Sequence, residues 1–157
     1  MIRIADHFIY AHPLPKGHRF PMLKYEMLPE QLVLEGTCHR NQFFAPNRIL
    51  EKHVLRTHCA TYYKQLNDIS LSKKEARRIG FPLSQKLIER ECIIAQGTLD
   101  GCEFALEHGI SFNIAGGTHH AFFDRGEAFC LLNDQAIAAN YLLSTRQATQ
   151  ILIIDLD

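Results

Sequence analysis

The chain has 157 residues, 46% of them hydrophobic and 22% charged, with 17 basic and 17 acidic side chains and a formal net charge of zero. That length and composition fit one globular domain with an adequate core, and the charge balance gives no electrostatic handle for nucleic acid or an anionic membrane. No apolar run approaches the roughly 18 residues of a spanning helix, no signal peptide is expected at the N-terminus, and the five scattered cysteines, with no C-x-x-C, suit reduced thiols in a cytoplasm.

In chain order, Ile2-Arg3-Ile4 and Phe8-Ile9-Tyr10 predict a short first strand. His12 to His18 is a loop, because its prolines and glycine deny regular pairing. Pro21 opens a helix to about Glu35, stopped by Gly36, and Pro29 inside it is expected to kink or break it. Cys38 to Pro46 is irregular. Arg48 to His53 and Thr57 to Leu66 carry helical apolar spacing. Ser72-Lys73-Lys74-Glu75 is a capping box that starts a short helix ending at Gly80. Ser84 is a good N-cap for a long helix to about His108, with Gly109 as its stop. Along it Gly97, Gly101 and Ala105 form a smooth stripe suited to close packing on a sheet.

The apolar run Ile110 to Ala115 predicts a buried strand, closed by Gly116-Gly117 and followed by Thr118-His119-His120. A mostly apolar helix from about Leu132 to Ser144 and a strand from Gln150 to Leu156 complete a βαβ unit, whose two strands are expected to be parallel. In open α/β sheets the chemistry sits past the carboxyl ends of the strands. Asp155 and Asp157 are two residues apart on the last strand and share a face. Two imidazoles and two carboxylates are therefore expected at one sheet edge. By themselves the histidines also fit a solvated loop, and the aspartates fit a cap or turn. As a site, the set suits acid–base work by the histidines, and a metal such as zinc, manganese or iron(II).

GGTHHAFFDRGEAFCLLNDQAIAA followed by ILIIDLD closely resembles the zinc-dependent histone deacetylase superfamily, with bacterial members as the nearest branch. HPLPKGHRFPM and RRIGFPLSQKLIER fit the same group, so the resemblance runs from about Ile2 to Asp157. It implies an α/β, parallel-sheet, three-layer arginase/deacetylase-like fold, truncated here, with residues 1–157 forming the N-terminal part of a single deacetylase-like domain. It implies zinc or another divalent metal, with Asp157 as a direct ligand. Asp155 is then the residue behind it that hydrogen-bonds His119 and supplies oxygen atoms to a monovalent cation. His119 and His120 flank the metal-bound water, His120 being the favoured general base. Phe129 lines a narrow substrate channel, with Gly117 and Ala128 at its walls. Ala128 stands where the family has glycine, and its added methyl is expected to narrow the channel or shift the loop.

The family's metal motif continues beyond Asp157, and its other ligands and a carbonyl-polarising tyrosine come later still. The 157 residues alone are therefore expected to be inactive. The implied reaction is hydrolysis of an acetylated small-molecule amine or protein lysine, with oligomeric state left open. Two alternatives stand beside it: a ureohydrolase of the arginase kind, and a non-catalytic remnant or binding fragment.

Overall fold

The computed structural model describes residues 2–156. Three short strands form one parallel sheet in the order β2-β1-β3. β1 (Arg3–Ala5) lies in the middle. Its Ile4 and Ala5 pair with Phe43 and Phe44 of β2 (Phe43–Phe44) and with Phe112 and Asn113 of β3 (Ser111–Asn113). Each return to the sheet passes through helix, as parallel strands require. α1 (Lys24–Leu34) precedes β2. Between β2 and β3 come α2 (Glu51–Val54), α3 (Ala60–Asn67), α4 (Lys73–Ile79) and the long α5 (Gln85–His108), and α6 (Asp134–Ser144) follows β3.

α5 organises the packing. It lies against β1 and β3, and α6 packs onto it. The glycine stripe makes the first contact possible. A Cβ on Gly97 would lie 2.7 Å from the Tyr10 hydroxyl, and one on Gly101 2.9 Å from Ser111 Oγ, so only glycine admits the sheet this close. The main core gathers Tyr62, Leu66, Leu87, Ile88, Leu99, Leu131 and Ile137, among others, from α3, α5, α6 and the segment before α6. The local signals are realised. Ser72 Oγ accepts from the Glu75 amide at 3.3 Å while Glu75 accepts from the Ser72 amide at 2.8 Å. Ser84 caps α5 through the Leu87 amide at 3.1 Å.

Several expectations need correction. Phe8–Tyr10 is a 3₁₀ turn capped by the His7 side chain, not strand. α1 begins at Lys24 and runs unbroken through Pro29, which is buried. β2 falls inside the stretch expected to be irregular; two residues are too short for a periodic signal. The stretch 150–156 forms no ladder among the described residues. Among those residues β3 is the edge strand on that side of the sheet and pairs with β1 alone. Ile151 to Ile154 instead lie beside Thr98, Cys102, Ala138 and Leu142, across a gap of about 290 Å³.

All five cysteines are free thiols. No helix among the described residues is long and apolar enough to cross a membrane.

Candidate active site

A cavity of about 360 Å³ opens just past the carboxyl end of β3. One wall is the backbone run Ala115 to His120, another is Ala128-Phe129-Cys130, and Phe20, Lys24, Tyr25 and Arg90 complete it.

The two glycines meet different demands. Gly117 has φ +88, a left-handed backbone that L side chains resist. A Cβ on Gly116 would lie 3.0 Å from Asp134 Oδ2 and 3.1 Å from Thr98 Oγ1, so a side chain here would crowd the groups that hold the loop. The turn they make presents His119 and His120 with ring centroids 4.0 Å apart. His119 Nδ1 lies 3.0 Å from the Gly117 carbonyl oxygen, and its Nε2 lies 3.1 Å from Asp155 Oδ2. Asp155 thus comes to the histidines although the stretch that carries it is not in the sheet. Asp157 lies outside the described residues. Among those described, no three His, Cys, Asp or Glu side chains converge as a metal donor set.

Phe129 packs among Phe20 and Phe81, at centroid distances of 5.1 and 5.0 Å, and the Arg19 guanidinium carbon sits 4.8 Å from its ring centre. It lines the cavity and is anchored in an aromatic cluster at once. Ala128 and Phe129 both have left-handed backbone, at φ 45 and 67. The glycine that the resemblance leads one to expect at position 128 therefore answers to a backbone conformation, and the alanine keeps that conformation at a strain cost. Burial pushes the Cys130 thiol up to about 12, so it lines the cavity as a neutral group and not as a nucleophile. Asp124 and Arg125 pair at 3.2 Å on the surface. His18 spends both ring nitrogens inside its own neighbourhood, Nδ1 accepting from the Phe20 amide and Nε2 facing the Gly80 carbonyl.

Sequence reasoning missed the residues behind this wall. Arg90 and Glu91 form a fully buried ion pair on α5, with Arg90 Nε donating to the Tyr10 carbonyl at 2.8 Å. Burial raises the Glu91 carboxyl, with Arg90 opposing it. Asn133 and Asp134 brace the histidine loop from below, and His58 braces Asn133. The one signal available was Asn133 itself, a favoured N-cap residue ahead of an apolar helix.

A protein family described as histone deacetylase domain matches residues 18–157. An uncharacterized protein of Picosynechococcus is 38% identical over 98% of this chain and 51% of its own length. Histone deacetylase 5 of Arabidopsis thaliana is 28% identical over 98% of this chain and 26% of its own. An HDAC homolog from Aquifex aeolicus superposes with a TM-score of 0.77 at 20% identity, covering 92% of this chain and 41% of that one. The chain thus spans about half the length of the first of these relatives, and less of the others.

Proposed function

The chain belongs to the histone deacetylase family, and from that membership we propose that the protein is a metal-dependent deacetylase. The substrate class is an acetylated amine, either a protein lysine or a small molecule. The observation that carries the reading is that His119 and His120 lie side by side in the lining of one cavity past the end of β3, with Asp155 on the His119 ring.

The roles proposed are those the family resemblance implies. His120 is the group that takes the proton from the attacking water and returns one to the leaving amine. His119 stands beside it, its ring oriented by the Gly117 carbonyl on one side and Asp155 on the other. Phe129 and the neutral Cys130 give the cavity an apolar wall against which an acyl side chain lies. A divalent metal, zinc in first place, would be held by Asp157 together with further ligands outside the described residues, and would supply polarisation of water and carbonyl. Asp155 is also the candidate oxygen donor to a monovalent cation.

The test is release of acetate from a panel of acetylated lysine peptides and acetylated polyamines by a full-length version of the protein carrying the further metal ligands, zinc-loaded and then chelated. Acetate release that stops on chelation and returns with zinc is the expected result. Release unchanged by thorough chelation rules the metal mechanism out.

A further inference from the structure

Two consecutive residues at the start of α6 hydrogen-bond the His119–His120 loop. Asp134 is 1% exposed. Its Oδ1 accepts from the Thr118 amide at 2.7 Å, and its Oδ2 accepts from the Gly117 amide at 3.1 Å and from the Thr98 hydroxyl. The Thr118 hydroxyl lies 2.7 Å from Oδ1 and 2.6 Å from the Leu132 carbonyl, and its single proton serves one of them. Asn133 acts on the other side of the histidines. Its Nδ2 donates to the carbonyls of His119 at 3.1 Å and Ala121 at 3.2 Å, while its Oδ1 caps α6 through the Ala136 amide. The peptide carrying both imidazoles is therefore pinned just before and just after them.

We propose that Asp134, supported by Asn133, is the positioning residue of the His119–His120 pair, acting through its two acceptor oxygens. The proposal rests on reading those histidines as the proton-transfer pair. The chemistry separates this role from simple space-filling. Both carboxylate oxygens face N–H or O–H donors, so an amide of the same size has no good orientation. In one flip its NH₂ meets the Gly117 amide and the Thr98 hydroxyl; in the other it meets the Thr118 amide. A buried donor facing a donor is expelled or moves its neighbour, and the neighbour here is the loop. A shift of about 1 Å in a reacting group can cost on the order of 10²-fold in rate.

The experiment compares Asp134→Asn, Thr118→Val and Thr118→Ser with the wild type in the zinc-loaded full-length protein, which carries the further metal ligands. It reads kcat and KM on an acetyl-lysine peptide, and hydrogen exchange of individual amides. For Asp134→Asn the expected result is a kcat loss on the order of 10²-fold with KM within about twofold. Exchange should quicken at Gly117 and Thr118 and stay unchanged at Tyr62 to Leu66 of α3. Thr118→Ser should behave as wild type, and Thr118→Val should quicken exchange in the loop alone. Wild-type protection at Gly117 and Thr118 in Asp134→Asn overturns the proposal, and so does quickening that is equal in α3. If Asp134→Asn does not fold, the threonine pair decides, since wild-type exchange in Thr118→Val overturns the proposal. A wild type with no deacetylase activity sinks the functional reading, and the exchange measurements then judge the positioning role by themselves.

Discussion

The Nε2 atom of His58 accepts a hydrogen bond from the backbone amide of Asn133 at 3.0 Å, while its Nδ1 faces the Phe122 carbonyl at 2.8 Å. A neutral imidazole satisfies both neighbours, donating from Nδ1 and accepting at Nε2. A protonated ring must turn a donor on the Asn133 amide. Burial accordingly lowers the His58 pKa from its ordinary 6.5, against the opposing hydrogen bonds to Phe122 and Phe123. The unfolded chain then binds more protons than the folded one, so stability rises with pH. It is complete above about 6.5 and is lost as pH falls through the lower folded value. His12 and His53 are lowered in the same direction, first by burial. Thermal midpoints measured from about pH 7.5 to about pH 5 should fall, and the fall should be shallower in His58→Gln. Equal slopes in the two proteins would show that His58 carries none of the effect.

Ala128 gives a second prediction. Its φ of 45 is imposed by the amides of Ala128 and Phe129, which donate to the carbonyls of Arg78 and Ile79 at 3.1 and 2.7 Å and tie the loop to the end of α4. Left-handed backbone costs an L residue roughly 1–2 kcal/mol, and glycine gives back roughly 0.5–1 kcal/mol in unfolded-state entropy. Ala128→Gly should therefore raise stability by about 0–1.5 kcal/mol, and Ala128→Val should lower it, because a branched Cβ fits this region worst. Denaturant melts of the three proteins check the order. A valine variant as stable as wild type would mean the loop relaxes.

The elements that could be read from the sequence are those fixed locally. The Ser72 capping box, the Ser84 cap, the glycine stops and the Gly97–Gly101 stripe all report on neighbours within one helix or one face, and the structure realises each. The histidine loop was legible because glycines, a strand end and two imidazoles are adjacent in sequence. What escaped is non-local. β2 exists only because β1 lies beside it. Asp134 resembles any first-turn acid until the fold brings Gly117 and Thr118 onto it. The 150–156 stretch has the composition of a buried strand, yet composition does not supply the partner that makes it one.

The buried pair Arg90–Glu91 sits at the cavity wall, with the Arg90 guanidinium 5.0 Å from the Tyr25 ring centre. Removing one member of a buried ion pair leaves an uncompensated charge and typically costs about 3–5 kcal/mol. Glu91→Ala should lose that much in urea unfolding. The double change Arg90→Met with Glu91→Leu should lose less than the single one, because no charge is left behind. A double variant worse than Glu91→Ala would show that the Arg90 bond to the Tyr10 carbonyl matters more than the pairing.

For the histidines themselves, His120→Ala should reduce turnover by roughly 10²–10⁴-fold, the usual loss of a general base. His119→Ala should cost less, and Asp155→Asn should resemble His119→Ala, because Asp155 reaches the reaction through the His119 ring at 3.1 Å. The comparison is made on acetate release by the zinc-loaded protein, with KM followed separately. Small and equal losses in both histidine variants would show that neither moves the proton.

The last prediction concerns the stretch that was expected to be a strand. Leu152, Ile154 and Leu156 are 80%, 69% and 93% exposed, whereas Ile153 between the first two is 48% exposed. Three large apolar side chains of this stretch therefore stand mostly in water. Each forfeits roughly 1.5–3 kcal/mol of burial. An extended apolar segment with no ladder partner is a template for pairing with another copy. The 157-residue chain should therefore self-associate, and Leu152→Lys with Ile154→Lys should reduce that association by charging the exposed positions without touching Ile151 or Ile153. Sedimentation of both proteins over a range of concentrations measures it. A wild type that stays monomeric throughout would show that this stretch is tolerated in water, and that its exposure drives no association.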